Sequence, residues 1–224
     1  IRYPYANLLR YVRIIALFLS LLLPAIYLGI TIYHQEMIPT DLLLAIEASR
    51  EKVPFPSVVE LLLMELSFEL IREAGLRVPG PIGPTLGIIG ALILGQAAVA
   101  ANIVSPILII IVAVTGIGSF AIPSYSLGYS IRIMRFAFIF LCALGGFMGI
   151  TAGLFVLGIW STSVKSFGVP FMSPFGPKTS DSIGKTLFKA PEWKLEYRPD
   201  FLNTKKKKKQ DKYSMDWKVR RRNK

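Results

Sequence analysis

The chain has 224 residues, 53% of them hydrophobic, a positive mean hydropathy and a formal charge of +12. That combination points away from a water-soluble globule and toward an integral membrane protein with a soluble appendage. The charge is lopsided: residues 1–160 carry 9 Lys and Arg against 8 Asp and Glu, and residues 161–224 carry 17 against 6.

The chain opens on Ile-Arg-Tyr-Pro without a starting Met, so it reads as the remainder of a longer polypeptide whose upstream domain is absent here. Its first apolar run, Ile14 to Tyr33, follows Arg2, Arg10 and Arg13, which places its beginning on the cytoplasmic side. Residues 34–56 hold Pro39, Asp41, Glu47, Arg50, Glu51, Pro54 and Pro56, too polar a set to span, and read as a short interfacial helix and a turn. His34 has no second histidine or cysteine nearby and reads as an interface residue, not a metal ligand.

Residues 57–74 read as an amphipathic helix ended by Gly75. A helical wheel gathers Glu65, Glu69, Arg72 and Glu73 on one face and leaves Leu62, Leu63, Leu66 and Leu70 broadly opposite. Such a helix suits a membrane interface, with its charges solvated and paired along the helix. It equally suits a pore mouth, where Glu65, Glu69 and Glu73 from several copies would form an acidic vestibule for cations.

After the rigid turn at 78–84 comes the most patterned segment. Thr85, Ile89, Leu92, Gln96, Val99 and Ile103 step by four and three along one helical face, the pattern of a bundle seam or pore wall. Gly83, Gly87, Ala91 and Gly95 recur every four residues on another face, where they allow a neighbouring backbone to approach closely. On a pore axis Gln96 supplies an uncharged hydrogen-bonding level, and Leu92, Val99 and Ile103 supply hydrophobic constrictions. In a seam without a pore, Gln96 sets register. Both readings require a homo-oligomer.

Ser105-Pro106 separates this span from the next, at 106–122. The last span, 133–160, carries Gly145, Gly149 and Gly153 at the same four-residue spacing and ends at the interfacial anchor Trp160. Cys142 sits in that apolar run as packing. The expected architecture is an all-α membrane protein: a transmembrane domain at 1–164 with spans near 14–33, 82–103, 106–122 and 133–160, then a basic cytoplasmic tail at 165–224, disordered toward its end. Four crossings leave both ends cytoplasmic, as the basic tail requires, but they put Arg132 and Arg135 outside. Lys205, Lys206, Lys207, Lys208 and Lys209 form a basic cluster suited to the anionic surface of a lipid bilayer. Positive-inside topology explains this charge without nucleic acid, since no nucleic-acid-binding fold accompanies it. No nucleotide loop, metal-ligand spacing or nucleophile with its base appears, so neither an enzyme nor a cofactor is expected.

The runs His34-Gln35-Glu36-Met37, Val53-Pro54-Phe55-Pro56, Phe68 through Gly75, Gly90-Ala91 with Gly95 through Val99, Ile122 through Tyr125 and Ser166 through Pro170 carry a resemblance. Together they resemble the A subunit of the spore germination receptors, or its stage V sporulation relative, over most of residues 1–202. The resemblance implies an oligomeric, nutrient-gated ion channel in the inner spore membrane, working with a transporter-like B subunit and a lipoprotein C subunit. It carries over onto Gln96, Ala97, Ala98 and Val99, and onto Glu69, Arg72 and Glu73; many relatives have a glutamate where this chain has Ala100. The competing expectation is a non-conducting scaffold that assembles a sensing partner through its glycine faces.

Overall fold

A computed structural model describes residues 3–78, 82–166 and 168–172, with isolated positions 198, 205, 206 and 208. Among the described residues the architecture is all-α apart from one short hairpin: α1 (Tyr3–Leu28), α2 (Thr40–Arg50), α3 (Ser57–Arg77), α4 (Ile82–Ala100), α5 (Pro106–Phe120) and α6 (Tyr125–Ser163). Among the described residues two helical stretches are long and apolar enough to cross a membrane, Tyr5–Tyr33 and Tyr125–Ser163, and Ile89–Ala100 and Pro106–Phe120 are shorter apolar helices. The chain divides into two compact units, Arg13–Gly153 and a second made of Ile1–Val12 with Leu154–Lys224. In the second, Lys165–Ser166 (β1) pairs antiparallel with Val169–Pro170 (β2), and Gly168 takes φ +80° in the turn.

Within the Arg13–Gly153 unit, α1 contains Pro24 and loosens into a π-helical turn at Gly29–Tyr33, closed by the His34 N–H donating to the Gly29 carbonyl at 3.1 Å. Proline removes one helical donor, and wider turns of this kind relieve such interruptions. The end of α1 and the turn after it meet α6 at Ala25 and Gly29, where the Cys142 thiol donates to the Ala25 carbonyl at 3.0 Å. α1 also meets α5 where Gly118 lies against Ala16: a Cβ at Gly118 would sit 3.0 Å from the Ala16 carbonyl oxygen. α3 packs along α4 and α5, and α2 touches α5. The core is built from Leu21 and Leu28 of α1, Leu61 and Met64 of α3, Leu108 and Val112 of α5, and Phe138 and Ile139 of α6.

Several boundaries differ from the expected ones. α3 continues through Gly75 to Arg77. An interior glycine costs a helix only about 1 kcal/mol, which packing along two neighbours offsets. α4 stops at Ala100, because Asn102 takes φ +55° and closes the helix end: the Ile103 N–H reaches the Ala98 carbonyl and the Asn102 N–H the Val99 carbonyl, both at 2.9 Å. Asparagine tolerates this left-handed position better than most residues. Ile103 therefore lies beyond the helix and does not continue the stripe. Ser105 then caps α5, accepting from the Leu108 N–H at 3.4 Å, with Pro106 in the first turn.

α6 begins eight residues before the expected span and breaks at Gly146, whose φ of +56° and ψ of −137° are closed to other residues without strain. After the break the chain turns back on itself. A Cβ added at Gly149 would sit 1.9 Å from the Leu141 carbonyl oxygen, and one at Gly153 would sit 2.9 Å from Phe138. The Tyr33 ring covers Gly146, its hydroxyl donates to the Ala143 carbonyl at 2.6 Å, and His34 packs edge-on against Phe147.

Candidate functional site in the helix bundle

α3 faces the opposite way from the expected amphipathic helix. Val59, Leu63, Leu66 and Leu70 form one stripe, spaced by four, three and four residues, and are 39–64% exposed. Glu60 and Glu65 are 1% and 2% exposed. The acids point inward because arginines wait for them: Arg135 of α6 donates through Nη1 to Glu65, and Arg132 donates through Nη1 to Glu69. Unpaired burial of a carboxylate is prohibitive, and pairing is what makes the inward orientation affordable. Glu60 accepts from the Ser105 N–H and lies 3.8 Å from Arg50, an ion pair too long for a hydrogen bond.

Arg72 completes the cluster. Its Nη1 lies 3.9 Å from Glu69, its Nη2 donates to the Gly116 carbonyl at 3.2 Å, and its guanidinium sits 4.6 Å from the centre of the Phe120 ring. Arg132 is held similarly, by the Gly128 carbonyl and by the Tyr129 ring at 4.3 Å. Of the expected acidic vestibule, only Glu73 is exposed, and it pairs with Arg77 at 3.4 Å. Glu65 and Glu69 are committed to α6 instead of open space.

On α4, Ile89, Leu92 and Gln96 are exposed while Val99 is half-buried. Beside them Gly95 and Ala98 are buried, and a Cβ at Gly95 would press on Ile109 of α5 at 3.3 Å. Ala91 is half-buried and Gly87 has open space around it. Gly90, outside the expected stripe, is the glycine that lies against α3, through Ile71. The side chains of Gly83 and Thr85 fall outside the described set. Between α3, α4 and α5 lies a cavity of about 290 Å³, mostly apolar, with Arg72 and Gln96 as its charged and polar lining residues.

The expected glycine contacts of α6 divide. Gly149 and Gly153 pack, but against the preceding turns of their own helix and not against another helix, while Gly145 is exposed with nothing within 4 Å of an added Cβ. Of the basic cluster, Lys205, Lys206 and Lys208 are exposed, and Lys207 and Lys209 lie outside the described residues. Among the described residues no group of three or more His, Cys, Asp or Glu side chains gathers in a way that could hold a metal ion.

A family model described as Bacillus/Clostridium GerA spore germination protein matches residues 1–201. The chain belongs to the GerA family of spore germination proteins. It is 47% identical to spore germination protein KA of Bacillus subtilis (strain 168) over 94% of this chain and 39% of that protein. It is 44% identical to the uncharacterized membrane protein YfkQ of the same organism, over 88% of this chain and 39% of the relative. Spore germination protein GerLA of Bacillus cereus is 42% identical over 91% of this chain and 42% of the relative. The chain thus spans about two-fifths of the length of these curated relatives. No solved structure matches it.

Three features of this GerA-family chain escaped the reading of its residues in isolation. Arg132 and Arg135 conflicted with the expected topology, yet they were legible as partners: two arginines three apart on one apolar helix suit two acids four apart on another. The Gly145-Gly146 pair is a recognised kink signal. The Tyr33 latch on that kink has no local signal, because its acceptor is 110 residues away.

Proposed function

We propose that this chain is the membrane part of a spore nutrient-germinant receptor subunit, working as an oligomeric, ligand-gated ion channel that releases ions at the start of germination. It sits in the inner membrane of the spore, crosses it several times with both ends cytoplasmic, and assembles with copies of itself and with B and C subunits. It does no covalent chemistry and needs no cofactor. Kinship with spore germination proteins supports the receptor role.

One observation carries the channel reading. α4 packs its small residues inward at Gly95 and Ala98 and leaves Ile89, Leu92 and Gln96 exposed, the last two also lining the cavity toward α3 and α5. An apolar stripe interrupted by a single amide suits a hydrophobic constriction with one hydrogen-bonding level around a shared axis. Scaffolding is the second reading, and the engagement of Glu65 and Glu69 by arginines favours it, since those acids then line no cation entrance.

Ion flux separates the two. The full-length protein with its partner subunits is reconstituted in liposomes and compared with Val99→Ala and Gln96→Ala at equal incorporation. Raised flux without nutrient in Val99→Ala, or altered selectivity in Gln96→Ala, is the expected result. Background flux in all three, with oligomers and nutrient present, would overturn the channel and leave the scaffold.

A further inference from the structure

We propose that α3 crosses the bilayer, with its Val59, Leu63, Leu66 and Leu70 face against lipid acyl chains, and that the chain therefore makes six crossings. The inference rests on the membrane reading above and deepens it.

The first argument is the polarity of α3. A helix lying flat in the interface turns its charged face to water and its apolar face to the lipid. Here the charged face meets Ser105, Gly116, Arg132 and Arg135 of other elements, and an aliphatic stripe faces outward. Charges buried inward and paired, with Leu and Val outward, is the arrangement a spanning helix requires. Its 21 residues give a length of about 31 Å, enough for the hydrocarbon core. Lipid is the occupant that this stripe fits, because helix partners in membranes dock on small residues and the stripe has none.

The second argument is direction. Glu60 meets Ser105 and Arg72 meets Gly116, so α3 runs parallel to α5. Glu65 meets Arg135 and Glu69 meets Arg132, so α3 runs antiparallel to α6. The chain from α1 to Tyr33 runs parallel to this first part of α6, with Ala25 on Cys142 and Tyr33 on Gly146, and α1 runs antiparallel to α5, with Ala16 on Gly118 and Tyr27 beside Ser105. α4 is tied to α5 by a short loop with Gly95 on Ile109. The runs therefore alternate from α1 through α3, α4 and α5 to α6. The fold-back after Gly146 lets the remainder of α6 serve as a sixth crossing. α5, at 15 residues, spans about 22 Å and draws on its flanking loops.

The third argument is charge. With α3 spanning, Arg77, Arg132 and Arg135 move to the side of Arg13. Residues 34–56, with Glu36, Asp41, Glu47 and Glu51 against Arg50 and Lys52, face the other side. That distribution obeys the positive-inside rule and removes the conflict that four crossings create.

The two topologies give opposite answers at three positions. In the full-length protein carrying Cys142→Ser, which keeps a donor for the Ala25 carbonyl, and with any cysteines outside this segment replaced, single cysteines are introduced as Arg77→Cys, Ala101→Cys and Ser124→Cys. Each is exposed to a membrane-impermeant maleimide in intact cells and again after permeabilisation. Six crossings expects Ala101→Cys to react in intact cells and the other two only after permeabilisation. The reverse pattern overturns the proposal while leaving the membrane reading intact. Recovery of the unmodified protein outside the membrane fraction overturns both. Should Arg77→Cys fail to accumulate, Ser124→Cys alone reads the same parity.

A nitroxide on Leu66→Cys tests the lipid face. Relaxation by oxygen dissolved in the bilayer, without relaxation by an aqueous nickel chelate, is expected. Access to the chelate, or to neither reagent because a protein partner covers the site, overturns it.

Discussion

Arg135 on α6 and Glu65 on α3 are 70 residues apart in sequence, and both side chains are almost fully withdrawn from solvent, at 3% and 1% exposure. They meet through one nitrogen and one oxygen only. Glu65 Oε1 and Arg135 Nε and Nη2 make no further hydrogen bond to the protein, so the pair is single-pronged, not forked. Its importance therefore lies in what either partner would suffer alone.

Glu65→Leu should strand a buried guanidinium and destabilise the protein by about 3–5 kcal/mol, whereas Glu65→Leu combined with Arg135→Leu should recover most of that loss. Thermal unfolding in detergent of both single variants and the double reads the coupling directly. Additive losses would show that the two side chains do not depend on each other.

Gly149→Ala places a methyl where the Leu141 carbonyl oxygen already lies, so the fold-back of α6 must open, at about 3 kcal/mol. Gly145→Ala meets nothing and should stay within about 0.5 kcal/mol of the wild type. Melting temperatures of the two variants side by side check this contrast, and equal shifts would remove the fold-back as its cause.

Gly146→Ala should lose about 1–3 kcal/mol through its positive φ, with a further penalty from the Tyr33 ring 3.0 Å from the new Cβ. Tyr33→Phe keeps the ring and loses only the hydroxyl bond to the Ala143 carbonyl, a loss of about 0.5–1.5 kcal/mol. Thermal unfolding that left Tyr33→Phe unchanged would mean that water serves the Ala143 carbonyl equally well.

Asn102→Gly should be neutral or slightly stabilising, because glycine takes the left-handed position at the end of α4 without strain. Asn102→Val should destabilise by about 1–2 kcal/mol. Denaturation of both variants decides it; a harmless valine would mean that α4 can end another way.

The spacing of residues along the chain was enough to locate the helices, because apolar periodicity, proline and small-residue repeats act within a few turns. It marked the outward stripe of Ile89, Leu92 and Gln96 on α4 and the break at Ser105-Pro106. The helix wheel also set Glu65 and Glu69 apart from Leu63, Leu66 and Leu70. What it left open was which face turned inward, since a charged face is driven to water unless opposite charges meet it inside. Arg132 and Arg135 settle that choice, and they act through contacts more than sixty residues apart in sequence. The fold-back at Gly146 was decided in the same way, by Tyr33 arriving from the turn after α1 to cover the strained backbone. Local pattern determined the elements, and the pairing of buried charges between distant elements determined their orientation.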